Sequence, residues 1–106
     1  MFARVSQFSV RPEHLEEGRR AFEEHVVPAI RMQLDYCGGM LLANPESGKM
    51  LTVSLWEDEQ AMHDTDEAAH WMRGFGAQEA GGTVEAVDTY EVYRARMSRS
   101  EPRGYK

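Results

Sequence analysis

Cysteine is nearly absent. Cys37 is the one cysteine in 106 residues, so no internal disulfide can form, and such usage fits a reducing compartment. Long apolar runs are missing too: none approaches the roughly 18–20 residues that span a bilayer. Arg4, Arg11 and Glu13 interrupt the region where a signal peptide would carry its apolar stretch. The expected setting is therefore cytoplasmic. Ordinary apolar side chains are scarce, since Leu, Ile, Val and Phe together supply 19 residues, a proportion that borders on disordered chains when net charge is high. Positive charge is also in deficit, with 12 Lys and Arg against 18 Asp and Glu and a net charge of −6. That balance argues against nucleic acid and anionic membrane as partners.

What is present offsets the shortage. Seven Met, four Tyr and two Trp restore enough apolar volume for one core, and Met adapts well to irregular space. The length is that of one domain. Patterned segments run from Phe2 to Arg94, giving a domain over residues 1–94 and a basic tail over residues 95–106. Across Arg94 to Lys106 five basic residues meet one acidic residue, Glu101, which reads as a solvated terminus.

Residues 2–10 read as a strand rich in β-branched and aromatic types, without a clean polar face. Arg11-Pro12 opens a helix, with Pro at a position whose N–H is unpaired anyway and Glu13, Glu16 and Glu17 at the positive end of the dipole. Its apolar stripe is Leu15, Phe22, Val26, Ala29 and Ile30. The helix is expected to reach about Leu34, with a kink or break near Val27 because Pro28 removes an intrahelical bond. Residues 36–43 and 50–56 form a hairpin across the turn cluster Asn44-Pro45-Glu46-Ser47-Gly48-Lys49. Glu57-Asp58-Glu59-Gln60 starts a second helix. It should run to Met72 or slightly beyond and be ended by Gly74, Gly76 and Gly81-Gly82. Residues 83–93 form the last strand, with Val84, Ala86, Tyr90 and Val92 on one side.

The order β-α-β-β-α-β predicts an α+β, ferredoxin-like fold, with a four-stranded antiparallel sheet and both helices on one face. The other face stays open. Neither residue set of the third strand is charged, so that face calls for a partner, and a two-fold homodimer closes it most simply.

Val27-Pro28-Ala29-Ile30-Arg31, Tyr36-Cys37-Gly38-Gly39 and the run from Ser54 through Trp56 to Met62 resemble the antibiotic biosynthesis monooxygenase (ABM) family of the dimeric α/β-barrel superfamily. The resemblance covers roughly residues 2–94 in element order and spacing. It implies a dimeric α/β barrel and a pocket between sheet and helices, in a family that includes cofactor-independent quinone-forming oxygenases and haem-degrading enzymes. The quinone-forming members carry a Trp at the end of the third strand, an Asn four residues earlier and a Tyr six residues later. Here these positions hold Trp56, Thr52 and Met62. The haem-degrading members use an Asn in the first strand, a Trp within the second helix and a His near its end. The corresponding positions hold Ser6 or Gln7, Thr65 and Phe75, while His70 and Trp71 fall out of step, so haem degradation of that type is not expected.

On this reading Trp56 lines the pocket and is the first candidate for catalysis, with Thr52 and Ser54 on the same side of the strand giving an aromatic plate and two hydroxyls. The alternative is a core Trp anchoring strand to helix. His25 borders the apolar stripe beside Phe22. It is the candidate base for deprotonating a phenol, the ordinary alternative being a half-exposed surface histidine. Gln7 could donate to a ligand carbonyl or fill a gap between strands. Met62 and Met72 belong to a Met series, with Met32 and Met40, that serves as core or as the wall of a plastic aromatic pocket. His63 and His70 lie two turns apart, about 10 Å of rise, too far to share one ion, and no metal or cofactor is expected. Cys37 has no basic neighbour in sequence to activate it. Gly38-Gly39 has no nucleotide-loop context and instead permits a bulge or close backbone approach. The functional expectation is a cofactor-independent monooxygenase acting on a phenolic or polycyclic aromatic metabolite. The alternatives are a non-catalytic small-ligand-binding or accessory dimer protein, and a partner domain whose pocket is filled by its own methionines.

Overall fold

The computed structural model describes residues 1–96; the basic tail beyond Arg96 lies outside the described residues. Strands β1 (Phe2–Ser9), β2 (Tyr36–Ala43), β3 (Lys49–Trp56) and β4 (Thr83–Glu91) form one sheet of order β2-β3-β1-β4. Every neighbouring pair is antiparallel. The expected α+β, ferredoxin-like arrangement is the one observed.

The β2–β3 hairpin is built by its turn residues. Asn44 Oδ1 accepts from the backbone N–H groups of Glu46 and Ser47, and the Gly48 N–H returns to the Asn44 carbonyl. Gly48 has φ +78°, and a Cβ there would lie 1.9 Å from the Val10 carbonyl oxygen, so only glycine lets the turn close on the end of β1. The Gly38-Gly39 pair also behaves as expected. The β2–β3 register shifts between Tyr36 and Gly38, Gly38 has φ +137°, and a Cβ on Gly39 would meet the Val53 carbonyl oxygen at 2.4 Å.

Both helical segments depart from the simple expectation. The first starts as a short 3-10 turn, Pro12–His14, and continues as α1 (Leu15–Ala21). A π-helical turn follows over Phe22–Val26, then α2 (Val27–Ile30). The break predicted at Val27 is thus a bulge one turn upstream. Pro28 has no N–H for the Glu24 carbonyl, and its ring crowds that carbonyl, so the preceding turn widens. The Val27 N–H bonds five residues back, to the Phe22 carbonyl. The helix also ends at Ile30 rather than near Leu34, and the chain turns at Asp35, φ +64°.

The second helix is two, α3 (Glu59–Asp64) and α4 (Asp66–Ala80). Asp58 caps α3, its carboxylate accepting from the Ala61 N–H at 2.8 Å. The break at Thr65 follows from competition for one carbonyl. Met62 O accepts from the Thr65 N–H, from Thr65 Oγ1 and from Arg4 Nη2, so it is taken before an i+4 helical bond from Asp66 can form. Helix α4 runs through Gly74 and Gly76, which were expected to end it, and stops at Gly81. Tertiary packing overrides the roughly 1 kcal/mol helix penalty of each glycine.

On β4 the register shifts opposite Gln7/Phe8: Val84 pairs with Phe8 and Ala86 with Gln7. Glu85 is the extra residue, and it turns Val84 and Ala86 to opposite faces, correcting the single-sided grouping read from alternation. The helix-side face of the sheet carries Phe2, Arg4, Ser6 and Phe8 of β1 opposite Trp56, Ser54, Thr52 and Met50 of β3. Val10, Met50 and Ala80 form the buried core there, with Phe8, Leu15 and Leu41 packed against it.

Candidate functional site

A cavity of about 80 Å³ opens between this face and the helices. Its sheet wall is Arg4, Ser6 and Phe8 of β1 with Met50, Thr52 and Ser54 of β3. Phe22 and Val26 enter from the π-helical turn, and Met72, Arg73 and Gly76 from α4. The π turn therefore sets the phase in which Phe22 and Val26 reach the cavity. On α4, Ala69, Met72, Arg73, Gly76, Ala77 and Ala80 recur at three- and four-residue spacing and line one face.

Of the residues singled out in the sequence, Phe22, Thr52, Ser54 and Met72 meet in this cavity. The others lie elsewhere. Trp56 is wholly buried at 0% exposure and sits behind Ser54 rather than in the cavity wall. Its indole N–H donates to Ser54 Oγ at 2.9 Å, and Tyr36 packs edge-on against it at 5.6 Å. Met62 is buried under α3. Gln7 belongs to the opposite sheet face, where it borders a separate, largely apolar depression of about 340 Å³ with Leu42, Leu51 and Glu85. His25 is exposed and packs edge-on against Phe75 at 5.1 Å. The cause is phase: alternation on β1 puts Gln7 opposite Ser6, and the widened turn directs Val26 rather than His25 inward.

The residue that sequence reasoning missed is Arg4, only 4% exposed. Its Nη2 donates to Met62 O at 2.7 Å, Thr65 Oγ1 at 3.2 Å and Asp66 Oδ1 at 2.5 Å, and its guanidinium carbon lies 5.8 Å from the Trp56 ring centroid. A signal existed: Arg4 shares strand parity with Phe2, Ser6 and Phe8. Arg73 was missed as well. It occupies the cavity face of α4, and its Nη1 is buried without a hydrogen-bond partner among the described residues. Burial and the positive charge of Arg4 lower its pKa, against a smaller upward pull from Asp66. Burial works upward on Asp66 itself, but hydrogen bonds from His63 and Arg4 outweigh it and hold the carboxyl below its ordinary range.

Cys37 is exposed, and its pKa is raised by desolvation and by the nearby Glu57 carboxylate, the opposite of an activated thiol. No group of three or more His, Cys, Asp or Glu among the described residues is placed to hold a metal ion. Likewise, no helix there is long and apolar enough to cross a membrane.

The arrangement has close counterparts among solved structures. A Streptomyces coelicolor monooxygenase in complex with nanaomycin D superposes with a TM-score of 0.71 at 17% identity, over 92% of both chains. A Deinococcus radiodurans protein assigned to the antibiotic biosynthesis monooxygenases gives 0.69 at 18% identity, over 92% of this chain and 97% of its own. The chain has the ABM fold. A Mycobacterium tuberculosis heme-degrader with two hemes in its active site gives 0.70 at 18%, over 92% of this chain and 100% of its own, so the ABM-type scaffold is shared by proteins of different chemistry. Two uncharacterized M. tuberculosis proteins, from strains CDC 1551 and H37Rv, are each 31% identical over 93 residues. That is 87% of this chain, which spans 41% of their length. No protein-family profile matches the chain.

Proposed function

We propose that the cavity between the sheet and the helices binds a phenolic or polycyclic aromatic metabolite in the cytoplasm, and that the protein is a cofactor-independent monooxygenase acting on it. The observation that carries this reading is the cavity itself. Apolar walls from Phe22, Val26, Met50 and Met72 face the hydroxyls of Ser6, Thr52 and Ser54, the mixture of shape and sparse polarity that suits a flat ligand with oxygen substituents. The fold likeness to a monooxygenase in complex with nanaomycin D supports it. The reaction of this class turns an activated ring CH2 and O2 into a ring carbonyl and water, with one oxygen atom going to each product.

At about 80 Å³ the cavity is far below the roughly 300 Å³ or more of typical ligand pockets, so a polycyclic ligand enters by displacing Met50, Met72 and Phe22. Flexible Met side chains suit that adjustment. The test is oxygen consumption by the purified protein with a panel of polycyclic phenols, without added flavin or metal. Uptake above the protein-free rate is expected, and its absence across the panel would remove the catalytic reading.

The second reading, a non-catalytic small-ligand-binding or accessory dimer, is favoured by one observation. Among the described residues the cavity wall holds no carboxylate, imidazole, thiol or phenol, hence no ordinary general base. It predicts ligand binding without oxygen uptake. Both readings share a homodimer closed through the sheet face opposite the helices, where Val5, Leu51, Val53 and Leu55 are flanked by exposed Met40, Leu42 and Tyr90.

A further inference from the structure

Among the described residues, the two charged side chains of the cavity wall are both arginines. Arg4 is fixed: its hydrogen bonds to Met62, Thr65 and Asp66 all leave from Nη2. Arg73 is not. Its Nη1 has no acceptor among the described residues although the atom is shielded from solvent, and an unmet guanidinium N–H in an apolar setting costs free energy. Asp66, whose charge acts on Arg73, is already engaged by Arg4 and His63. Both guanidinium groups line the one cavity; burial first, and the like charge of Arg4 second, lower the Arg73 pKa. An anion seated against Arg73 in this cavity would meet the unmet donor and offset the paired positive charge.

We infer that Arg73, backed by Arg4, is the seat for the anionic head of the ligand, and that the preferred substrate class is an aromatic carboxylate whose ring lies against Phe22, Val26 and Met72. A carboxylate fits because its two oxygens match the planar donor edge of a guanidinium. This assignment rests on the reading of the cavity as the ligand site, and deepens it by naming the charge of the ligand. The same cation would favour the ionised form of a phenol, but a carboxylate is charged at neutral pH without a base, and the cavity wall supplies none.

The test uses 2-naphthoate and its uncharged isostere 2-naphthamide as probes, titrated into the full chain and followed by NMR and calorimetry. In the wild type the naphthoate should bind roughly tenfold or more tightly than the amide, and Arg73→Met should abolish that preference. The wild-type Arg73 side-chain N–H resonances give an answer without a variant: they should move with naphthoate and stay in place with naphthamide. Equal affinity for the two probes would overturn the anion seat while leaving the cavity as a ligand site. A naphthoate preference that survives Arg73→Met, or Arg73 resonances that do not move, would also overturn the assignment. Failure of both probes to bind would overturn it together with the ligand-site reading itself.

Discussion

Arg4 lies over the face of Trp56, its guanidinium carbon 5.8 Å from the ring centroid, while the indole N–H is held by Ser54 Oγ at 2.9 Å. One inward-facing charge on β1 thereby joins the largest buried side chain of β3 to the break between α3 and α4. Of the two, Arg4 lines the cavity and Trp56 lies behind it.

Removing the charge should therefore be felt as stability. Arg4→Met leaves Met62 O and Thr65 Oγ1 without their buried cationic donor and should cost about 2–3 kcal/mol, measured by urea denaturation. Trp56→Ala should cost about 3–5 kcal/mol through the cavity it leaves, with Trp56→Phe recovering much of it. A change below about 0.5 kcal/mol in Arg4→Met, the usual range of surface substitutions, would contradict the role assigned to the arginine.

Asp66 gives the acid limb a definite sign. Its folded-state carboxyl is held below the ordinary value by His63 and Arg4, so its contribution is fully present above the unfolded pKa and is lost as pH falls through the lower, folded one. Wild-type thermal stability should decline as pH falls below about 5 and on through the ordinary carboxylate range. Asp66→Asn should be less stable at neutral pH and show a shallower decline. The check is Tm against pH for the two proteins, and parallel curves would remove the ion pair from the account.

Pro28 is the proposed cause of the π turn. With Pro28→Ala, residue 28 regains its N–H, and the Phe22–Val26 segment should relax toward an ordinary α-helix. A structure of the variant should show Val27 bonded four residues back and Phe22 rotated relative to the cavity. An unchanged π turn would assign the bulge to packing instead.

The open sheet face should hold two copies together. Val53→Lys, central on that face, should convert a dimer to monomers in sedimentation experiments, since a desolvated charge at such an interface is costly. A monomeric wild type would contradict the dimer directly.

The four strands and the β2–β3 hairpin were legible because alternation and the Asn44–Gly48 turn act locally. The helix start within Glu57-Asp58-Glu59-Gln60 and the Gly38-Gly39 irregularity were legible for the same reason. The Thr65 break was not, since it depends on Arg4, more than sixty residues away in sequence, bonding to the Met62 carbonyl. Nor was the Glu85 bulge, which reverses the parity of β4 in one step. At the cavity, Phe22 and Met72 lay on apolar helix faces read from periodicity, and Thr52 and Ser54 on the Trp56 side of β3 by alternation, the pocket itself being implied only by the family resemblance. His25 is exposed, the ordinary alternative for it, and Gln7 lies on the other sheet face. Arg4 and Arg73 escaped notice because charge was read as exposure.

The most direct test of the cavity as the ligand site fills it. Gly76 lies two turns after buried Ala69 on the cavity face of α4, and a Cβ there meets no atom within 4 Å. Gly76→Phe should place a ring in the void, and the matching Gly76→Ala should raise stability by about 1 kcal/mol through helix propensity alone. The measurement is the thermal shift produced by polycyclic phenols in the wild type, Gly76→Ala and Gly76→Phe, because a ligand that binds only the folded state raises Tm. A shift retained in the alanine variant and abolished in the folded phenylalanine variant is the predicted result. A shift that survives in Gly76→Phe would place the ligand elsewhere and contradict the account.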